Sequence, residues 1–358
     1  MAVYRKDVYC EFEFLKKFRS SNGRISPLHA TDALWVWIGM SKFIQKSHLM
    51  LDVNAQTFKK SIRNNDAISY LWKRATEGVC KMSFVNEHKK EFFENLIITR
   101  EGLDKIYLLA KHNSICKNWA KKVGTIVLSP TCWQSNEEAK KYAYLFKDCG
   151  ISINEGDKID WGDILKEEYN LSDCNSMIII DNYILQDVNN LKRVIEQFLP
   201  KPMEGFKREH EFYVTVITGK AKNNPNRNDK HIYEQLVEDI KQSHPDLNCH
   251  IDLFVEQFIM SHTFHDRHIL TNNVFITIGG GFDSFDKHGK AEKQTSTSLL
   301  HPGIQSVRPA CDDEYMNIIN RVCCKVVNCT TRGQWRHYPE ESSCKNRLIL
   351  KHPDIKEL

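Results

Sequence analysis

A short stretch in the second half of the chain carries side chains that could bind a phosphate group. His265 and Arg267 are separated by one residue, Asn272 follows after four more residues, and three consecutive glycines follow after a further six. Arginine has a fixed positive charge and a planar fork of N–H groups that matches phosphate oxygens. A glycine-rich turn can bring backbone N–H groups close to the same anion. The predicted phosphate-binding residues are His265, Arg267, Asn272, Gly279, Gly280 and Gly281.

Each part of this stretch also has a purely structural explanation. His265 and Arg267 could satisfy buried polar groups beside a strand, and glycines 279–281 could form only a hairpin turn. The combination of residue types at this spacing favours a phosphate-facing site over a scaffold. A concave site at strand ends is also where α/β sheets usually bind their ligands.

Basic residues between and after the predicted strands indicate which kind of molecule could carry the bound phosphate. The net charge of +4 permits contact with nucleic acid or an anionic membrane and requires neither. Loops at one edge of a sheet would gather these residues into a nucleic-acid-binding surface, whereas an ordinary solvated face is the alternative. The predicted nucleic-acid-binding residues are Lys220, Lys222, Arg227, Lys287, Lys290 and Lys293.

The elements that must position these residues alternate between strands and helices. Apolar, β-branched runs predict strands at 177–180, 212–217 and 250–255, and helical spacing predicts helices at 187–199 and 230–242. A further strand is predicted at 274–278, before the glycines. Strands separated by helices imply parallel pairing, so we predict an α/β fold with a mixed, mainly parallel sheet.

The spacing of this stretch resembles the signature of the phospholipase D superfamily. That signature is His-x-Lys, four residues, Asp, six residues and a glycine pair. Here Arg267 stands in place of the lysine and Asn272 in place of the aspartate. The residues of the motif, His-Asp-Arg before Thr-Asn and a glycine-rich turn that ends in Phe-Asp, also resemble the C-terminal domain of MIT-domain proteins. That domain tends to open with a strand that ends in Asp-x-Tyr, as Asp181-Asn182-Tyr183 does here. The resemblance implies a phospholipase D-like half-fold over about residues 176–285.

The resemblance implies binding rather than cleavage. Active superfamily members bring two motifs to one phosphate, with one histidine as nucleophile, and this sequence has only one motif. We therefore expect a phosphodiester-binding subunit of a bacterial defence-type assembly, with nucleic acid as the expected ligand. A homodimeric, metal-independent nuclease or phosphodiesterase with His265 as nucleophile is one alternative. A module that binds anionic lipid or a protein partner is another.

Composition and pattern set the remaining expectations. We predict a mixed, mainly helical N-terminal domain at 1–121, the phospholipase D-like α/β domain at 122–310 and a C-terminal extension at 311–358. No apolar run is long enough to cross a bilayer, and the cysteines are mostly scattered as in a reducing compartment, so a cytoplasmic location is expected. No cofactor or metal is expected. Cysteines clustered near the end, around His337, leave a structural zinc open as an alternative.

Overall fold

The computed structural model describes two compact units, each built around its own sheet. The first comprises Met1–Lys147, Glu168–Asp173 and His301–Asp312, and the second comprises Asp148–Glu167, Cys174–Leu300 and Asp313–Leu358. Within them the structure describes residues 7–22, 48–64, 66–77, 81–84, 106–124, 126–130, 149–159, 174–186, 188–199, 211–219, 227–257, 267–272, 274–279, 281–282, 285–286, 288–292, 294–300, 317–327, 334–340 and 344–350.

The first unit contains a five-stranded parallel sheet in the order β3-β2-β1-β4-β5. Its strands are β1 (Asp7–Cys10), β2 (His48–Leu51), β3 (Lys81–Phe84), β4 (Ile106–Leu108) and β5 (Val127–Leu128). Its helices are α1 (Phe12–Asn22), α2 (Ala55–Ser61), α3 (Asp66–Thr76) and α4 (Asn113–Val123). The predicted mixed, mainly helical region is therefore organised around a parallel sheet that the sequence pattern did not indicate.

Side chains on both faces of the central strands β1 and β4 are buried, as is usual for parallel strands. On one face Tyr9 stacks on Tyr107, with the ring centroids 5.5 Å apart, and residues of α4 complete the cluster. Two carboxylates hold the strand ends together. Glu11 accepts a hydrogen bond from the Ala110 amide at 2.6 Å, and Asp52 accepts one from the first amide of α1, that of Phe12, at 2.6 Å.

The second unit contains an eight-stranded mixed sheet in the order β13-β9-β8-β7-β10-β11-β12-β6. Its strands are β6 (Cys149–Ile153), β7 (Ser176–Ile180), β8 (Glu211–Thr218), β9 (Asn248–Glu256), β10 (Arg267–Thr271), β11 (Phe275–Ile278), β12 (Thr295–Leu300) and β13 (Trp335–Tyr338). The α-helices that the structure describes in this unit are α5 (Val188–Phe198), α6 (Asp229–Ser243) and the single turn α7 (Arg347–Leu350).

The central strands of this second sheet form where the sequence is most apolar. Every residue of β7 is buried, because helices and loops cover both of its faces. Helix α5 buries Leu191, Val194, Ile195 and Phe198, which recur at helical spacing on the side that faces the core. The N-terminus of α6 is capped by the Asn228 side chain, whose oxygen accepts from the His231 amide at 3.1 Å.

The predicted α/β class and mixed sheet are confirmed, but the sheet is not mainly parallel. Strands β7, β8 and β9 pair in parallel, whereas the other described pairings of this sheet, five in number, are antiparallel. Parallel strands need a long crossover, which α5 and α6 provide. Strands β10 and β11 are separated by only a few residues and pair as an antiparallel hairpin.

The compact units also differ from the predicted domains. Strand β5 pairs with β4, so the first sheet continues past residue 121, where the sequence pattern placed a boundary. Strand β13 pairs with β9, so the stretch predicted as a separate extension at 311–358 contributes to the second sheet. Among the described residues, no helix has the length and apolar character needed to cross a bilayer.

Candidate functional site

One edge of the second sheet gathers the ends of β7, β8 and β11 and the start of β10. Within the β7–β10 pair His268 lies opposite Ile180, so Arg267 is level with Asp181, the first residue after β7. On the other side of β10, Arg267 pairs with Ile278, and Gly279 follows directly. The structure therefore brings Arg267 and the start of the glycine turn to one edge of the sheet. We call this the carboxyl edge, after the ends of the parallel strands β7 and β8.

The Asp181 carboxylate ties together two segments of the carboxyl edge. Its Oδ1 accepts from the Tyr183 amide at 2.8 Å, and its Oδ2 accepts from the Phe282 amide at 3.0 Å. Asp181 itself is fully buried. The Phe282 carbonyl oxygen accepts from the Asn190 side chain of α5 at 2.6 Å. The glycine turn is thus fixed on one side by the end of β7 and on the other by α5.

The glycine turn offers fewer free amides than its composition predicts. Gly281 has a φ of 78°, a conformation that other residues rarely adopt. The Gly281 amide donates to the Ile278 carbonyl oxygen at 3.4 Å within the turn, and the next amide, that of Phe282, donates to the Asp181 carboxylate. Gly280 lies outside the described residues. An anion at this edge would therefore depend more on side chains than on these two amides.

Among the described side chains of the carboxyl edge, the Arg267 guanidinium is the one most available to a ligand. Its carbon Cζ lies 5.6 Å from the centroid of the Tyr183 ring, in a cation–π contact. Arg267 is half-buried, and its side chain forms no hydrogen bond or ion pair with any residue that the structure describes. The cation–π contact uses none of the guanidinium N–H groups as hydrogen-bond donors, so they remain able to donate to an anion.

Comparison with known families identifies one segment of the chain. Residues 159–300 match the family model described as the phospholipase D-like domain at the C-terminus of MIT. The chain contains a phospholipase D-like domain. The matched residues contain β7 to β12, and therefore both Arg267 and Asp181. No curated protein matches the chain.

Asn272 of the phospholipase D-like domain does not join the predicted site. It follows the last residue of β10, at the opposite end of that strand from Arg267, and five residues of strand span about 16 Å. Its side-chain oxygen accepts from the amides of Asn175 and Ser176, at 2.9 and 2.8 Å. Asn272 therefore holds the chain at the start of β7 through its amide oxygen.

The predicted basic residues are only partly described. Arg227 is not an exposed loop residue: its side chain is 9% exposed, its Nε donates to Asp229 at 2.5 Å, and its Nη1 donates to the Leu185 carbonyl oxygen at 3.4 Å. Lys290 is exposed. The structure does not describe the other predicted basic residues, namely Lys220, Lys222, Lys287 and Lys293, or the predicted phosphate-binding residues His265 and Gly280.

Two residues of the site were not predicted from the sequence as functional. Asp181 and Tyr183 were noted only as part of the family resemblance, which is the one sequence signal that points to them. Their roles depend on the turn after β7, and the apolar pattern of the strand does not specify where that turn directs a side chain.

Two residues of the cysteine-rich C-terminal stretch, His337 and Cys344, belong to a buried polar network around Asp252. His337 Nε2 lies 2.7 Å from Asp252 Oδ1, and the Cys344 thiol donates to Asp252 Oδ2 at 3.5 Å. Burial, with Asp252 beside it, raises the pKa of Cys344 well above its usual range, so the thiol stays protonated. Within the described ranges, no three His, Cys, Asp or Glu residues are arranged to hold a metal ion.

Proposed function

We propose that the carboxyl edge binds a phosphodiester of nucleic acid, with Arg267 as its central contact. The observation that carries the proposal is the Arg267 guanidinium, which lies against an aromatic ring and donates to no described residue. The desolvation of a charged group with unused hydrogen-bond donors is poorly compensated unless water or a ligand accepts hydrogen bonds from it. A phosphate accepts two parallel hydrogen bonds from such a fork.

The proposal is of binding without cleavage. It rests on the single His-x-Arg motif in the sequence, since the active members of the superfamily need a second histidine for the leaving group. The change at Asn272 no longer bears on this point, because that side chain serves the backbone at the far end of β10.

The rest of the proposal concerns the setting in which the phospholipase D-like domain works. It includes a cytoplasmic location and a role as a subunit of a bacterial defence-type assembly, with a protein partner or a second copy of the chain as further contacts. The location, the assembly and the partners are proposed only from the resemblance to phospholipase D-like proteins.

Equilibrium binding of the full chain to oligonucleotides and to liposomes rich in phosphatidylserine, at one ionic strength, tests the proposal. We expect oligonucleotide binding that weakens steeply with salt. Arg267→Ala should weaken it by about 1 to 3 kcal/mol and lower the salt slope by about 0.7 to 0.9. Arg267→Lys should restore the slope but not the full affinity, because the charge returns without the fork. Lys241→Ala, at the last turn of α6, is the matched control and should change neither.

Three outcomes would count against the proposal. Binding to liposomes alone would favour a lipid-binding module, and binding to neither would favour a protein-interaction scaffold. Metal-independent cleavage of an oligonucleotide, lost in His265→Ala with folding intact, would favour the homodimeric phosphodiesterase.

A further inference from the structure

The turn that follows β7 is held rigidly at the carboxyl edge. The Tyr183 amide donates to Asp181, and the Tyr183 carbonyl oxygen accepts from the Gln186 amide at 2.8 Å. Further along the turn, Arg227 donates to the Leu185 carbonyl oxygen from a position fixed by its ion pair with Asp229. A turn fixed at both ends presents the side chain between them in one direction.

That side chain is the Tyr183 ring, which is half-buried beside Arg267. The Tyr183 hydroxyl forms no hydrogen bond with any part of the chain that the structure describes. Buried tyrosines usually find a hydrogen-bond partner, so a half-buried ring with an unused hydroxyl is more typical of a contact surface than of a core. The edge therefore combines a flat aromatic group and a flat cation, in contact with each other.

We infer that Tyr183 and Arg267 together form a stacking platform, and that the ligand is single-stranded nucleic acid. This inference rests on the proposed function, in which Arg267 binds the phosphate. In a single strand, an unpaired base lies close to each phosphate, and such bases stack on aromatic rings and on guanidinium planes. A duplex hides the faces of its bases, and a glycerophospholipid headgroup has no aromatic ring.

Abasic oligonucleotides isolate the stacking contribution, because they keep every phosphate and lack the bases. Wild-type protein should bind an intact single strand about 5- to 150-fold more tightly than an abasic strand of the same length, the range for losing one stacked base. Tyr183→Leu should reduce this preference towards one while leaving the salt slope unchanged. Tyr183→Phe should keep it, because the ring remains.

Trp72→Leu is the matched control. Trp72 of α3 also has a cation over its ring, with Lys59 Nζ 5.1 Å from the centroid, so the substitution removes the same kind of pair in the first unit. It should leave the preference for the intact strand unchanged. If Tyr183→Leu does not fold, photo-crosslinking of wild-type protein to an iodouracil-labelled single strand gives the same information. The crosslinked peptide found by mass spectrometry should contain Tyr183.

The outcomes separate the inference from the proposed function. If the wild type binds neither strand, the proposed function fails and the inference fails with it. If binding depends on Arg267 but intact, abasic and duplex ligands bind equally, only the stacking platform is wrong. A preference for the intact strand that survives in Tyr183→Leu, or a crosslink confined to other residues, would also overturn the platform.

Discussion

Removing the Asp181 carboxylate should loosen the carboxyl edge more than any change at its surface. Asp181→Ala leaves the amides of Tyr183 and Phe282 without their buried acceptor. A buried N–H group that loses its partner costs about 1 to 3 kcal/mol, so two such groups predict a loss of about 2 to 6 kcal/mol. Asp181→Asn keeps one acceptor oxygen and should cost about half as much. Ligand affinity should fall with both, because Tyr183 and the glycine turn are no longer held together.

Hydrogen–deuterium exchange is the most direct assay for this prediction, because a chain with two compact units has no single unfolding free energy. The Tyr183 and Phe282 amides should exchange faster in Asp181→Ala than in the wild type, and the unfolding transition of the second unit should shift to lower temperature. Asp239→Asn, which breaks a partly exposed pair with Lys192, is the control and should change stability by less than about 1 kcal/mol. Unchanged exchange at both amides would refute the reasoning.

Three further predictions concern parts of the chain outside the carboxyl edge. Burial lowers the pKa of His244 below its ordinary value of 6.5, so below that pH the unfolded state binds more protons than the folded state. The stability of the second unit should therefore fall as the pH drops below 6.5. His244→Asn should flatten this fall, measured as the urea midpoint at each pH. Gly289→Ala should destabilise more than Gly156→Ala in calorimetry. At both positions φ is positive, which destabilises a residue with a Cβ by about 1 to 2 kcal/mol, but only at Gly289 would the Cβ also meet other atoms within 2.9 Å. Equal losses of stability in the two variants would contradict this prediction. Burial raises the pKa of Cys116 to about 12, so iodoacetamide should label the exposed Cys324 before it labels Cys116. Equal labelling rates at these two cysteines would contradict this prediction.

The centre of the second sheet could be predicted from the sequence because its strands are buried on both faces. Such strands are continuous apolar runs, and the predictions at 177–180, 212–217 and 250–255 each fall inside an observed strand. The helices between them have clear apolar spacing and were predicted within a residue at either end. Local pattern was sufficient wherever an element is long and its burial regular.

Strand β11 was also predicted, at 274–278, but most of the remaining strands could not be predicted because their pairing is not local. Strands β1 to β5 have only two to four residues each, too few for a periodic pattern. Strand β6 pairs with β12, which lies far along the chain. In the site, the position of Arg267 followed from the motif, whereas the separation of Asn272 from it depends on which end of β10 each residue occupies.

The pairing of β13 with β9 has a consequence for synthesis of the protein. Strand β9 has buried Leu253, Phe254 and Val255 near its end, and β13 covers its outer edge. Because β13 lies about 80 residues further along the chain, a ribosome working at about 5 to 20 residues per second needs about 4 to 16 s to deliver it. During that interval the nascent sheet has an open, apolar edge that could pair with another chain. Chaperone demand and aggregation during expression should therefore depend on how fast residues 257–338 are translated.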